Sequence, residues 1–220
     1  MIAARGFEKD VYFEMAATDI RALPKLEGTI HINMALIIKF MANYFFNPGQ
    51  FPEIGKRDDA ACDEFLFNQG LTKGLGKIQF HDFNIAYNSL DLPNVNIFKE
   101  QIKALQEMLL KATPDKNQAK NMDFLLYLGE MFTLVAYGQL IIEKFNIDNF
   151  EEDLLEQIFD FMIRDFSEYA LKLYLKTDTK ENQMEYCQKI IKKPVTDTKR
   201  FSRIWEDHVI SLKNSYEMNP

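Results

Sequence analysis

A nearly continuous apolar run from Phe124 to Ile142 constrains the fold of this chain more than any other segment. Its length is sufficient for a helix that crosses a bilayer. Glu130 lies within the run, however, and a carboxylate near the bilayer centre costs about 2.5–3.5 kcal/mol. A helix that is apolar all round also occurs at the centre of a helical bundle, and neighbouring segments here are apolar on one face. The sequence therefore favours a buried central helix and predicts no membrane span.

Apolar residues recur at helical spacing along most of the chain, and few segments show the alternation of strands. The predicted fold class is therefore all-α, an up-down helical bundle with no β-domain. Pro24 is predicted to end the first helix, and Pro114 and Pro194 fall between later ones. The predicted helices cover residues 8–22, 30–46, 59–68, 97–111, 118–145, 151–175, 181–191 and 198–215.

The two longest predicted helices are joined by the short link 146–149, which favours an antiparallel hairpin. On the second of them, large apolar side chains repeat at spacings that place them on one face: Leu154, Ile158, Phe161, Met162, Phe166, Tyr169, Leu173 and Tyr174. Burial stabilises the fold by roughly 1.5–3 kcal/mol per large side chain. The same stripe could line an acyl or cofactor slot. Because methionine and aromatic residues are ordinary filling of a helical core, we interpret the stripe as core.

Composition and the two cysteines exclude several classes of function. Acidic residues outnumber basic ones, 33 to 26, and the formal net charge is −7. Because nucleic-acid binding needs basic side chains that neutralise phosphates, no nucleic-acid partner is predicted. Cys62 and Cys187 lack the spacing of a zinc site, which indicates free thiols in a reducing compartment. The first residues show no signal peptide, so the predicted location is cytoplasmic.

Several weaker candidate sites are interpreted structurally. His31, His81 and His208 are scattered and do not supply the three or four ligands of a metal site, so no metal is predicted. The glycine-rich stretch 70–77 departs from the spacing of a phosphate-binding loop and is interpreted as a turn-forming loop. Trp205 is assigned to a final amphipathic helix that docks on the bundle.

Glu130 is the one carboxylate inside the apolar run. In a bundle it is expected to be paired or to reach solvent, with Tyr127 and Gln139 as candidate partners, rather than to act as a functional buried acid.

A cluster of helix-breaking residues indicates a boundary between two structural units. Pro48, Gly49, Pro52 and Gly55 interrupt the helical periodicity. We therefore predict a first unit at residues 1–46, a linker at 47–58 and a helical domain at 59–220.

Glu27 is the strongest candidate for chemistry, because it stands at the break between the first two predicted helices, between Pro24 and Gly28. A carboxylate beside apolar residues can have its pKa raised toward neutral, as a general base requires. Gly28 allows close approach of a substrate or cofactor, and Thr29 can cap the next helix. The alternative is a solvated carboxylate in a capped turn, since one carboxylate defines no site.

The run from Asp19 to Thr29, Asp-Ile-Arg-Ala-Leu-Pro-Lys-Leu-Glu-Gly-Thr, resembles the approach to the catalytic glutamate of FAD-dependent acyl-CoA dehydrogenases. The resemblance covers about residues 1–46, and the remainder is similar to the helical extension of some larger bacterial members, mainly at 128–139 and 200–206. The family also has an N-terminal helical domain and a central β-domain that hold the flavin. The resemblance therefore implies a C-terminal fragment of such an enzyme, or one piece of a split enzyme, expected to be inactive by itself.

This resemblance implies a reaction and its site residues. Glu27 would take the α-proton of a fatty acyl-CoA and FAD would accept the hydride, a step of fatty acid β-oxidation in lipid metabolism. Gly28, Thr29 and His31 would be cofactor-binding positions, and His31-Ile32-Asn33 stands where many relatives have Gln-Ile-Gln. The implied partners are the acyl-CoA substrate, an electron-transferring flavoprotein and further copies in a homo-oligomer. The alternative is a non-enzymatic helical bundle that oligomerises or binds another protein.

Overall fold

The computed structural model describes residues 12–26, 30–49 and 78–211. These residues form an all-α bundle with eight α-helices and no β-sheet, which confirms the predicted fold class. The helices are α1 (Tyr12–Leu26), α2 (Ile30–Phe46), α3 (Phe83–Asn88), α4 (Pro93–Lys111), α5 (Met122–Asp148), α6 (Glu152–Tyr174), α7 (Glu181–Ile190) and α8 (Thr198–Trp205). A 3₁₀ turn at Gln118–Lys120 precedes α5, and a π-helical turn at Glu206–Ile210 continues α8.

The apolar run of the sequence forms the central part of α5, which packs against α2, α3 and α6. Met131, Val135 and Ile142 are fully buried between these neighbours. By length and composition α5 is apolar enough to cross a membrane, and within the described ranges no other helix is. Its packing on three sides is the environment that the sequence predicted for a central bundle helix. On the far side of α6, helices α4 and α7 complete the bundle.

The link between α5 and α6 is as short as predicted and makes the two helices antiparallel neighbours. Asn149 takes a left-handed conformation, with φ at 49°, and its N–H donates to the carbonyl of Phe145 over 2.8 Å. The Phe145 and Phe150 rings then meet edge to face with centroids 5.0 Å apart. A left-handed residue followed by an apolar contact back to the last turn is a common helix C-terminus. It reverses the chain within three residues.

The buried face of α6 differs in part from the predicted stripe. Met162, Phe166 and Leu173 are buried as predicted, but Phe161 is 54% exposed, so its assignment to the core was wrong. The apolar residues that are buried on α6 are Leu155, Phe159, Met162, Ile163, Phe166, Ala170 and Leu173. Because α6 contacts α5 on one side and α4 and α7 on the other, the packing of all three helices selects this set.

The predicted and observed helices differ at the end of α1 and at α3, among other places. The first helix continues through Pro24 to Leu26 instead of ending at Ala22. A proline's fixed φ is helical, and near a helix end it removes one hydrogen bond without preventing the last turn. The sequence also missed α3, a six-residue helix whose first turn is capped by the Asp82 carboxylate, which accepts from the N–H of Asn84 over 2.9 Å. The predicted helix at 59–68 lies outside the described residues.

The described residues do not test the predicted linker, because most of 47–58 lies outside them. They do show that α2, assigned to the first unit, packs on α5 of the second. Tyr44 and Phe45, near the end of α2, are buried in the same core as Phe83 and Phe132. Their rings contact each other at centroid distances of 5.1–5.6 Å. An aromatic cluster therefore joins α2 to the helical domain.

Candidate functional site

The predicted catalytic segment lies at the junction of the first two helices. α1 ends at Leu26 and α2 begins at Ile30. Glu27, Gly28 and Thr29 fall between them and lie outside the described residues, so their roles stay predictions. His31, the fourth predicted site residue, is in the first turn of α2 with its side chain exposed. The structure thus describes the helices on either side of the segment. Of the four predicted site residues, it describes the side chain of His31 alone.

Packing on α5 fixes the position of α2 one turn after this junction. Met34 is buried against Gly129, where an added Cβ would lie 2.2 Å from the methionine sulfur and 3.3 Å from Cδ1 of Ile38. A side chain at residue 129 would therefore displace the Met34 side chain from its present position against the glycine. On the opposite side of the same turns, Ile32 and Leu36 are exposed. One face of α2 is therefore fixed on α5, and side chains on the opposite face are exposed.

A buried hydrogen-bond chain runs from the other end of α2 to α5. The Tyr44 hydroxyl donates to Oε1 of Gln139 over 2.6 Å, and Nε2 of Gln139 donates to the Glu143 carboxylate over 2.7 Å. Burial, together with the carboxylates of Glu143 and Asp82, raises the pKa of Tyr44 well above its ordinary value. A phenol held neutral in this way donates a hydrogen bond and does not serve as a base. The chain stabilises the packing of α2.

Glu130 is paired, as expected, though with different partners from those suggested by the sequence. Burial raises its pKa, while the Lys172 ammonium and a hydrogen bond with Tyr169 oppose that rise. Gln139, one of the suggested partners, bonds Tyr44 and Glu143 instead. Tyr169 and Lys172 come from α6, so the pairing depends on how the hairpin packs. The arrangement is a surface-proximal pair on the hairpin rather than an isolated acid.

Sequence reasoning missed a buried polar group around Glu156 and Asp160 of α6. Both carboxylates are less than a tenth exposed, and Arg200 of α8 lies against both of them. Burial raises the pKa of Glu156, while the backbone N–H of Asn94 and the Arg200 guanidinium oppose that rise. The sequence did carry one signal, since Glu156 and Asp160 are four residues apart among the apolar residues of α6. This spacing indicates buried charge, but it does not indicate which arginine neutralises that charge.

The remaining candidates provide no further site within residues 12–26, 30–49 and 78–211. This part of the chain has no cluster of three or more His, Cys, Asp or Glu side chains that could hold a metal ion. His208 contacts the Glu151 carboxylate at 3.4 Å near the surface. Cys187 is fully buried, and burial raises the pKa of its thiol to about 12, which makes it unreactive. Cys62 and the glycine-rich stretch 70–77 lie outside the described residues.

Comparison with known proteins adds no assignment: no family model, no curated protein and no solved structure matches this chain.

Proposed function

We propose that this chain is the C-terminal region of an FAD-dependent acyl-CoA dehydrogenase, in which Glu27 is the base that removes the α-proton of a fatty acyl-CoA. The observation that carries the proposal is the position of the Leu-Glu-Gly-Thr run. α1 ends at Leu26 and α2 begins at Ile30, so Glu27, Gly28 and Thr29 follow the first helix in sequence and precede the second. The resemblance of residues 19–29 to the family's catalytic segment supports the same assignment.

The proposed roles follow from the chemistry of α-proton removal. A carboxylate base works best when its pKa approaches the operating pH, and closure of an apolar acyl site over Glu27 would raise its pKa in that direction. Gly28 would let the thioester approach the backbone, and Thr29 would cap α2 and fix the direction in which it leaves the junction. FAD, when bound, supplies the hydride acceptor at the β-carbon. The chain's own contribution is to position the base.

Exposed apolar side chains near the junction support a covering partner there. Ile20 on α1 and Leu36 on α2 are both more than two-fifths exposed. His31, which the resemblance assigns to the cofactor side, is exposed in the first turn of α2. A flavin-holding domain that packs on these helices would bury this apolar surface and close the site against water. The residues present are therefore compatible with a cofactor held mainly by another part of the protein.

The test is anaerobic reduction of the flavin by acyl-CoA in protein that contains the flavin-holding domains. Glu27→Gln keeps the size of the side chain and removes the base, so bleaching of the flavin absorbance should slow by about 10²–10⁴-fold while FAD stays bound. Asp19→Asn is the matched control, since it neutralises an exposed carboxylate on α1. It should leave the rate unchanged. An undiminished rate in Glu27→Gln would refute the base assignment, and stoichiometric FAD on this chain alone would refute the expectation that other domains hold the flavin.

A non-enzymatic helical bundle that forms homo-oligomers is the second candidate. It is favoured by exposed large apolar residues on the hairpin, Tyr137 and Leu140 of α5 and Phe161 of α6. Apolar surface of this kind is common at contacts between subunits. Sedimentation of the chain should then show a mass above that of one copy, and Leu140→Glu should return it to the monomer. A monomer over the whole concentration range would contradict this candidate and leave the enzymatic proposal untouched.

A further inference from the structure

Residues 191–211, here called the strap, are attached to the bundle in an unusual way. The strap consists of an extended segment at 191–197, then α8 and the π-helical turn. Arg200 is the one buried residue in it, at 5% exposure. Most docked segments are held by buried apolar side chains, which supply the main driving force for packing. The strap is held by a charged one.

Arg200 enters a socket formed by α6. Its Nη1 lies 3.5 Å from the Glu156 carboxylate and its Nη2 lies 3.6 Å from the Asp160 carboxylate. Nη2 also donates to the carbonyl of Val195 over 3.1 Å, within the strap itself. Arg164 neutralises the other side of Asp160 at 2.6 Å. Two acids and two guanidinium groups therefore balance, which is the condition under which buried charge is tolerated.

Asn94, at the start of α4, adds a second attachment. The Val195 N–H donates to its Oδ1 over 2.8 Å, and its Nδ2 donates to the Val195 carbonyl over 3.2 Å. The backbone N–H of Asn94 donates to both carboxylate oxygens of Glu156, at 3.0 and 3.2 Å. The same carboxylate thus receives both Arg200 and the N-terminus of α4. Asn94, Glu156, Asp160 and Arg200 form one connected polar group, here called the clasp.

Apolar contacts contribute little to this attachment. Phe201, Trp205, Val209 and Ile210 are each between 44% and 50% exposed. The Phe201 and Trp205 rings stack on each other with centroids 6.3 Å apart. Three further ion pairs join the strap to the bundle near the surface, where such pairs contribute little: Lys192 with Glu100, Arg203 with Asp153 and His208 with Glu151. At the start of the strap, the Lys192 N–H also donates to the Ser167 hydroxyl of α6 over 3.0 Å. The clasp is the buried part of this attachment.

We propose that the strap is a detachable element, which opens while α4–α7 stay folded and is locked onto the bundle by the Arg200 guanidinium in the Glu156–Asp160 socket. Few buried apolar contacts and an extended connection at 191–197 are the properties of a segment that opens locally before the rest of a protein. Opening withdraws Arg200 from Glu156 and Asp160 and leaves the apolar faces of α4, α5 and α6 covered by one another. It also exposes two carboxylates that are matched to a guanidinium ion.

Amide hydrogen exchange of the full chain tests the proposal. In the unaltered protein, peptides from 191–211 should exchange at least about tenfold faster than peptides from α5. Arg200→Ala should speed exchange in the strap by a further factor of about ten or more, because it leaves buried acids unpaired. Exchange in α5 should not change. Arg203→Ala removes a neighbouring exposed pair and serves as the matched control, with a change below about fivefold. Equal loss of protection in the strap and in α5 would overturn the proposal.

Chemical rescue tests the socket separately. Guanidinium ion at concentrations far below those that denature the protein should restore protection of the strap in Arg200→Ala, whereas urea and sodium chloride should not. Arg200→Lys, which keeps the charge and loses the forked donor geometry, should give intermediate exchange and keeps the test informative if Arg200→Ala does not fold. No rescue, or equal rescue by sodium chloride, would show that the Glu156–Asp160 pair is not a guanidinium socket.

Discussion

Several glutamine side chains are buried in the core, at positions where a helical bundle usually has apolar residues such as leucine. Gln118 and Gln183 pair reciprocally, with Nε2–Oε1 distances of 2.7 and 3.0 Å. Gln183 also donates to the carbonyl of Ala112, the residue that follows α4, over 3.0 Å. Buried amides are stable when their donors and acceptors are satisfied, so this pair fixes the connection between α4 and α5 against α7. Polar residues here determine which helices meet.

Ionisation of the Cys187 thiol gives a prediction for a single residue. Burial raises the pKa of its thiol from 9.0 to about 12. A group whose folded pKa is raised contributes stability below its unfolded pKa and loses that contribution as the pH rises toward the folded value. The free energy of unfolding should therefore fall between pH 9 and 12 by up to about 1.4 kcal/mol per pH unit for this one proton.

Urea unfolding of the native protein and of Cys187→Ala under reducing conditions isolates this contribution. The variant loses a fixed amount of packing at every pH but lacks the ionising thiol. The difference in stability between the two proteins should therefore shrink as the pH rises above 9. A difference that is independent of pH would contradict the assignment.

The sequence predicted helices well where apolar residues recur strongly at helical spacing. The sequence predicted α4, α5, α6 and α7 to within a few residues, because long apolar periods and flanking prolines mark them. It missed α3, since six residues show too little periodicity and the capping aspartate is its main signal. It also misplaced the end of α1, because a proline in a last turn disturbs a helix without ending it.

The left-handed residue between α5 and α6 leads to a prediction about the stability of this turn. Asn149 has φ at 49°, a region that alanine enters only at a cost of roughly 1–2 kcal/mol and that glycine enters freely. Asn149→Ala should therefore reduce the free energy of unfolding by about 1 kcal/mol, whereas Asn149→Gly should change it by less than about half of that. Thermal and urea unfolding measure both. Similar losses in the two variants would show that the left-handed turn is not the cause.

Whether α5 crosses a membrane depends on how the whole molecule packs around it. α5 is apolar enough to span a bilayer, yet Met131, Val135 and Ile142 are buried against α2, α3 and α6. We predict that the purified protein stays at the bottom of a flotation gradient with phospholipid vesicles, because the face of α5 with Met131, Val135 and Ile142 is already buried in the bundle. Bovine serum albumin and a single-span membrane protein serve as the two controls. Flotation that resists carbonate extraction would contradict the predicted bundle role.

The candidate site was less predictable than the fold. Glu27 attracts attention because Pro24 and Gly28 stand on either side of it in sequence, but it lies outside the described residues, so its role stays a prediction. The clasp could not be foreseen, since Asn94, Glu156 and Arg200 are more than forty residues apart in sequence and no local pattern links them. Long-range polar contacts of this kind are set by the packing of helices, and local periodicity does not encode them.

The sequence by itself determined the helical class, the central place of the apolar run and the antiparallel hairpin, because these follow from local periodicity and a short link. Tertiary structure alone decided which face of α6 is buried, which partners neutralise Glu130 and Glu156, and how Arg200 holds the strap. The physical reason is distance along the chain. Periodicity fixes what a residue's near neighbours do, whereas burial and charge pairing depend on helices that meet only after the chain has folded.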